Sequence, residues 1–158
     1  TTSAAVTRNA DLISKAGISN LINSQEGVLF LQMAALSNDL SFREISLTDG
    51  TNANKVVVRY NNTSNRIEAR YFVNNILEAA MTHDAATIIN FNKIAFKYKL
   101  NDFSLFINGS KVATDTLGNV PAAGVLNNLT FSGFQGKVRQ LQLYKEFLTD
   151  AECITLTT

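Results

Sequence analysis

The sequence predicts an all-β protein, a two-sheet antiparallel β-sandwich with one short helix near the C-terminal end. Three observations support this prediction. Short runs of alternating apolar and polar residues recur roughly every 8 to 12 residues, separated by turns rich in Asn, Asp, Gly and Ser. No segment shows sustained helical periodicity, which argues against a parallel α/β fold. A single capping signal, Thr149 followed by Glu152, marks a helix start close to the end of the chain.

The clearest hairpin lies in residues 101–116. Phe103, Leu105 and Ile107 alternate with residues that face the other way, and the run stops at Asn108-Gly109. Both of these residues tolerate the positive φ of a type I′ turn, so this dipeptide favours a tight connection to a return strand through Val112 and Ala113.

Three further runs alternate with period two and predict half-buried strands: 55–60, 66–73 and 93–100. The residues predicted to face inward are Val56, Val58, Tyr60, Ile67, Ala69, Tyr71, Val73, Ile94, Phe96, Tyr98 and Leu100. Residues 27–36 are almost continuously apolar, which is typical of a strand covered on both faces.

The remaining segments are less regular. A short strand is predicted around Ala5–Thr7, and residues 12–23 read as a turn or a single helical turn. Residues 76–84 fit either a strand or a short helix. In 136–144 the apolar residues change parity, which indicates a β-bulge near Arg139 and Gln140.

Composition narrows the classes of function. At 158 residues the chain is predicted to form one domain, 1–158, and its net charge of +1 gives no basis for nucleic-acid binding. Cys153 is the only cysteine, which excludes a zinc site with several cysteine ligands and an internal disulfide; it is expected to be buried. No apolar run is long enough for membrane insertion, and the first residues do not resemble a signal peptide. The absence of an initiator Met fits a processed product or a module of a longer protein.

The C-terminal half resembles a known family. Residues Lys93–Thr116 pass from a strand ending in Tyr-Lys-Leu into Asn-Gly, and Gly136–Leu156 read G-x-V-x-x-L-x-L-Y followed by L-T-D-x-E. This pattern is similar to the concanavalin A-like lectin/glucanase superfamily, in particular its laminin-G-like jelly-roll branch. The resemblance implies a jelly-roll β-sandwich and depends mainly on core and turn residues, so it is informative about fold rather than function.

Within that superfamily, the general likeness is to domains of bacteriophage tail fibres and other virion adsorption proteins. The resemblance implies a non-enzymatic, lectin-like module that binds a cell-surface glycan or polysaccharide during host adsorption. It also implies location in the virion and display as a homo-oligomer, for which a trimer is one arrangement. A structural decoration domain, acting through oligomerisation, is the alternative from a different class.

The candidate ligand-binding residues are the cations and aromatics on the outward parity of their strands: Arg59, Arg70, Phe72, Lys97 and Phe106. Aromatic faces stack on sugars, and cationic side chains suit an acidic glycan. Lys99 has the same parity. The alternative interpretation is that these residues form a solvated face, or that Phe72 and Phe106 form a subunit interface.

No catalytic residue is predicted. Glu44 and Asp49 are the nearest match to the paired carboxylates of glucanases, but their spacing places them on opposite faces of a strand. A degenerate glycanase is therefore a third hypothesis. His83 is expected in a turn or at a sheet edge, and Glu68 in a cross-strand ion pair.

No cofactor is assigned with certainty, and calcium is the one that the resemblance implies. Asp49, Asn52 and Asn54 place several oxygen ligands in a single loop, as calcium requires. The same residues are also what an ordinary turn contains, and both interpretations stand at the level of sequence.

Overall fold

The computed structural model describes residues 13–158, which form eleven strands and one helix. The elements are β1 (Ile13–Lys15), β2 (Glu26–Ala35), β3 (Arg43–Thr48), β4 (Lys55–Tyr60), β5 (Arg66–Val73), β6 (Ile76–Asp84), β7 (Asn92–Lys99), β8 (Asp102–Ile107), β9 (Ser110–Asp115), β10 (Asn128–Ser132), β11 (Gly136–Tyr144) and α1 (Asp150–Thr157). The strand predicted around Ala5–Thr7 lies outside the described residues.

The strands form two antiparallel sheets packed face to face. One sheet has six strands in the order β1-β10-β3-β4-β5-β6, and the other has five in the order β11-β2-β7-β8-β9. Every pair of neighbouring strands is antiparallel. The predicted all-β, two-sheet antiparallel jelly-roll β-sandwich with a short C-terminal helix is therefore confirmed.

The core lies between the two sheets and contains most of the residues that the alternation predicted to face inward, together with Leu29, Leu31 and Met33 of β2. Tyr60, Tyr71 and Tyr98 are among the largest side chains in it. Each of the three hydroxyls donates to a backbone carbonyl, with O···O distances of 2.5 to 2.8 Å. These bonds let the bulky rings be buried without leaving a polar group unsatisfied.

Asparagine supplies most of the tight turns. Among residues 13–158, six non-glycine residues have positive φ, and five of them are asparagines: Asn65, Asn74, Asn75, Asn101 and Asn108. At the predicted hairpin, Asn108 and Gly109 have φ of 48° and 84°, and Ile107 pairs with Ser110 across the turn. A type I′ geometry matches the right-handed twist of the two strands, which explains why the sequence predicted this hairpin correctly.

Some local predictions are confirmed and two need correction. Residues 76–84 form a strand, and the register shift between Val138 and Gln140 is the predicted bulge. Part of 12–23 is a three-residue strand, β1, rather than a turn, because it pairs with β10. Leu100 is exposed, not inward, because the chain leaves β7 at Lys99 and turns at Asn101.

Helix α1 lies across the outer face of the five-stranded sheet. Cys153, which is fully buried as predicted, packs with Val28, Phe30, Ala95 and Phe106 in a second apolar cluster between helix and sheet. This explains the continuously apolar sequence of β2: one face lies in the main core and the other under α1.

The start of α1 has the predicted capping box. The Thr149 hydroxyl accepts from Glu152 N at 3.2 Å, and the Glu152 carboxylate accepts from Thr149 N at 3.2 Å. We expect Thr149→Ala to lower the free energy of unfolding by about 1 kcal/mol, since the backbone N–H of Glu152 loses its acceptor. Chemical denaturation measures the effect, and Thr155→Ala, with an exposed side chain later in α1, serves as the control. An unchanged midpoint for Thr149→Ala would contradict a role for the box.

Asp150 links α1 to the sheet. Its carboxylate accepts from Lys97 Nζ at 2.8 Å and from Lys111 Nζ at 2.9 Å, and these hydrogen bonds lower its pKa below 3.8. A carboxylate with a lowered folded-state pKa stabilises the fold at pH values above its unfolded pKa and loses that contribution as the pH falls through the folded pKa. We therefore expect Asp150→Asn to be less stable than the wild type at pH 7 and to approach it below about pH 4. Thermal melts across this range measure the difference, and a gap that does not narrow at low pH would contradict the ion pairs.

Candidate functional site

The outer face of the six-stranded sheet is the surface that α1 does not cover. Cross-strand register arranges its central side chains in three parallel rows that run across the strands. The rows, each ordered from β10 through β3, β4 and β5 to β6, are Ser132–Glu44–Arg59–Glu68–Thr82, Thr130–Ser46–Val57–Arg70–Ala80 and Asn128–Thr48–Lys55–Phe72–Leu77. We call this surface the sheet face.

Alternating charges connect the first row. Arg59 lies between two carboxylates, with Nε 2.6 Å from Glu68 Oε2 and Nη1 3.2 Å from Glu44 Oε2. Glu44 also contacts Lys55 at 3.4 Å, and Glu68 contacts Arg70 at 2.7 Å. The predicted cross-strand ion pair of Glu68 is confirmed. This network contains three cations and two carboxylates. Its net charge is therefore +1.

Arg70 is the cation with capacity for a further partner. Its Nη2 contacts Glu68, whereas its buried Nε has no hydrogen-bond partner among residues 13–158. The side chain is 32% exposed, so the guanidinium is held in place by the sheet and still reaches the surface. A guanidinium presents its N–H groups as a planar fork that matches a carboxylate, which makes Arg70 suited to binding an anion.

Two aromatic rings border the charged residues. Phe42, just before β3, is 46% exposed and stacks on the Arg59 guanidinium at 4.7 Å. Phe72 is half-buried and lies 5.5 Å from Lys55 Nζ. Aromatic rings with one open face can pack against the apolar face of a sugar, so the sheet face combines stacking surfaces with ionic groups.

Apart from Arg70, the middle row consists of short side chains, so the surface along it forms a depression between the two outer rows. Ser46 and Val57 are almost fully buried, although neither belongs to a core cluster. The rows on either side carry longer side chains, including Arg59 and Lys55. At the β3–β10 end, this depression opens into a cavity of about 210 Å³ whose lining includes Ser46 and Thr130.

The five candidate ligand residues fall on two different surfaces. Arg59, Arg70 and Phe72 come together on the sheet face. Lys97 and Phe106 also point outward, but from the opposite sheet, and both are buried beneath α1. Lys97 pairs with Asp150 and lies 4.0 Å from the Phe147 ring. The prediction that Lys97 and Phe106 share one binding surface with Arg70 is therefore wrong. The parity of a strand shows which residues point away from the core, but it does not show which sheet the strand belongs to or what packs on that sheet.

In the loop proposed for calcium, the side-chain oxygens that would be the ligands accept hydrogen bonds from the protein itself. Asp49 Oδ1 accepts from Thr51 N at 2.8 Å, and Oδ2 accepts from Asn54 Nδ2 at 2.8 Å. Asn54 Oδ1 accepts from Asn74 N, and Asn52 Oδ1 from Lys55 Nζ. Desolvation by burial acts to raise the pKa of Asp49, but the hydrogen bonds from Asn54 and Thr51 together outweigh it and lower this pKa below its usual value. The oxygens thus build the turn between β3 and β4, and calcium binding there stays a prediction.

Other chemistry-bearing residues have structural surroundings. His83 lies in β6, an edge strand of the six-stranded sheet, as predicted. Between residues 13 and 158, no three His, Cys, Asp or Glu side chains cluster in a way that could hold a metal ion. The same part of the chain has no helix long and apolar enough to cross a membrane.

Sequence reasoning missed two parts of the site. Phe42 lies outside the runs that showed clear alternation, so its parity could not be assigned. Thr130 and Ser46 are small polar residues in short strands, and only the pairing of β10 with β3 brings them together. An aromatic residue two positions before Glu44 on the same parity was the available signal for Phe42.

Comparison with known proteins adds structural relatives. No family model and no curated protein matches the sequence. Among solved structures, CBM40 of the Ruminococcus gnavus IT-sialidase, bound to α2,3-sialyllactose, is similar with a TM-score of 0.70 at 17% identity, covering 92% of this chain and 98% of that one. This chain and that module share the jelly-roll β-sandwich fold. Sheep galectin-11 is similar with a TM-score of 0.54 at 10% identity, covering 87% of this chain and 99% of the galectin.

A larger protein contains the same fold as one part. The leech intramolecular trans-sialidase, in complex with 2,7-anhydro-Neu5Ac, is similar with a TM-score of 0.65 at 15% identity. The match covers 94% of this chain and 27% of the leech protein. The structural neighbours therefore include carbohydrate-binding modules and galectins, and at these identities the likeness concerns the fold.

Proposed function

We propose that this domain is a non-enzymatic glycan-binding module and that its sheet face binds an acidic sugar. The observation that carries the proposal is Arg70, whose guanidinium is 32% exposed and is held by Glu68 at 2.7 Å, so that its surface-facing N–H groups can reach an anion. A sugar carboxylate there would form charge-assisted hydrogen bonds with a cation that is already held by Glu68. Preorganised groups of this kind lose little conformational entropy on binding.

The identity of the acidic sugar is proposed from the neighbours. Two of the structures with this fold are the Ruminococcus gnavus CBM40 bound to α2,3- and α2,6-sialyllactose. A sialylated chain combines a carboxylate with many hydroxyls and an apolar ring face. The sheet face offers a matching set in Arg70, the hydroxyls of the middle row, the exposed ring of Phe42 and the half-buried ring of Phe72.

The biological setting is a further part of the proposal. We assign the domain to a laminin-G-like module of a phage virion or fibre that adsorbs to host-surface glycans, on the strength of the sequence resemblance in Lys93–Thr116 and Gly136–Leu156. Display in a homo-oligomer would raise the effective affinity of individually weak sites. Electron microscopy of a particle labelled with antibody to this domain tests the location, and a domain found only in the host cell would refute it.

The binding proposal is tested by titrating the purified domain with α2,3-sialyllactose and with lactose. We expect saturable calorimetric binding of the sialylated chain and at least tenfold weaker binding of lactose, because lactose has no carboxylate to pair with Arg70. Equal binding of the two sugars would refute recognition of the acidic group. Sialyllactose recovered intact after long incubation is also expected, and its cleavage, abolished by Glu44→Gln, would support the glycanase alternative instead.

A further inference from the structure

A polar cavity lies on the sheet face about two strands away from Arg70. Its lining includes Glu44, Ser46, Thr48, Thr130 and Ser132. Ser46 and Arg70 belong to the same middle row and are separated only by Val57 on β4. Because neighbouring strands are about 4.8 Å apart, the two backbone positions are on the order of 10 Å apart.

The lining has the chemistry of a site for a neutral, hydroxyl-rich group. Five of its side chains carry hydroxyls, and the carboxylate of Glu44, which is paired with Arg59 and Lys55, can accept a hydrogen bond. The lining contains no Lys or Arg side chain, in contrast to the surroundings of Arg70. With a volume of about 210 Å³, the cavity is smaller than the roughly 300–1,000 Å³ of pockets for drug-sized ligands, which fits a single small ring.

The cavity is also preorganised. One side is the turn after β3, which is fixed by the bonds of Asp49 to Thr51 and Asn54 and by the bond from Gly50 N to Thr48 Oγ1. By contrast, the hydroxyls of Ser46 and Thr130 make no hydrogen bond to any residue of the described chain. They can therefore bond a ligand without first giving up a partner within residues 13–158.

We propose that this cavity is a second subsite, which binds the neutral sugar next to the acidic sugar held by Arg70. The inference rests on the proposed function and adds to it that the domain recognises a chain rather than an isolated acidic sugar. The two positions lie along the same row, which the Lys55–Glu44 ion pair crosses between them, so a linked pair of sugars lies across the strands and over this ion pair. The neutral sugar bonds through its hydroxyls to Thr130 and Ser46.

The test compares two probes on three proteins. The probes are the methyl glycoside of N-acetylneuraminic acid and α2,3-sialyllactose, which contains the same acidic sugar linked to a neutral chain. The proteins are the wild type, Thr130→Val and the control Thr114→Val. Thr114 is an exposed threonine in β9, the edge strand of the other sheet, so the control makes the same chemical change away from the sheet face.

We expect the wild type to bind sialyllactose more tightly than the monosaccharide. Thr130→Val should weaken sialyllactose binding by about three- to tenfold, the effect of one lost hydrogen bond, and leave the monosaccharide affinity unchanged. Thr114→Val should alter neither value. Equal wild-type affinities for the two probes, or equal losses for both in Thr130→Val, would overturn the subsite while leaving Arg70 as the acidic-sugar site. Failure of the wild type to bind either probe would overturn the proposed function and the subsite with it.

Discussion

Arg70→Ala is expected to lower the affinity for α2,3-sialyllactose by about 10- to 100-fold, the range for losing hydrogen bonds between two charged groups. The variant removes the guanidinium that the sugar carboxylate would contact, while the adjacent Arg59 keeps its pairing with Glu44 and Glu68. Calorimetric titration measures the affinity. The affinity for lactose should change little, since lactose carries no charge.

The matched control for Arg70 is Arg66→Ala on the same strand and the same parity. Arg66 pairs with Asp84 on β6 through two contacts of 2.7 and 3.0 Å, at the end of β5 away from the middle row. We expect this variant to bind sialyllactose as the wild type does. Equal losses in both variants would indicate a general electrostatic attraction, and an unchanged affinity in Arg70→Ala would contradict the assigned role.

Phe106→Ala is expected to destabilise the domain by about 3–5 kcal/mol, because it removes a fully buried ring between the five-stranded sheet and α1. The cavity would lie directly beneath Cys153 and loosen the helix that covers this sheet. Equilibrium unfolding in denaturant, followed by circular dichroism, measures the free energy. If the variant does not fold, Phe106→Leu should give a smaller loss in the same direction.

Phe72 provides the comparison for Phe106. Phe72 is half-buried on the sheet face, where its near neighbour is Lys55. We expect Phe72→Ala to cost much less stability than Phe106→Ala and to weaken sugar binding instead. If the two variants lost equal stability, Phe106 would not be the buried anchor of α1. A drop to monomers in Phe72→Ala, measured by light scattering, would favour the hypothesis that Phe72 forms a subunit interface.

The fold was largely predictable because alternation, turn residues and capping are local properties of the sequence. Tyr60, Tyr71 and Tyr98 face inward as their parity required, and Asn108-Gly109 forms the predicted turn. Strand β1 was missed since three residues carry no periodic signal and its existence depends on pairing with the distant β10. The exposure of Leu100 was missed because the strand ends one residue earlier than the pattern.

The site was predictable only in part because it depends on sheet order. The alternation correctly predicted that Arg70 and Phe106 point away from the core. It could not show that their strands belong to different sheets. Phe106 is covered by α1, which comes some forty residues later in the chain. The cavity beside Ser46 depends on the pairing of β3 with β10, two strands about eighty residues apart, and such long-range pairing has no local signature.

The central claim is that the acidic sugar binds on the open face of the six-stranded sheet, and amide chemical-shift mapping with α2,3-sialyllactose tests it most directly. We expect the perturbed amides to cluster in β3, β4, β5 and β10, with the largest changes next to Arg70 and Ser46. The amides of α1 and β8 should move little. A titration in which the largest changes fall in α1, β8 and β9, with β4 and β5 unaffected, would contradict the claim.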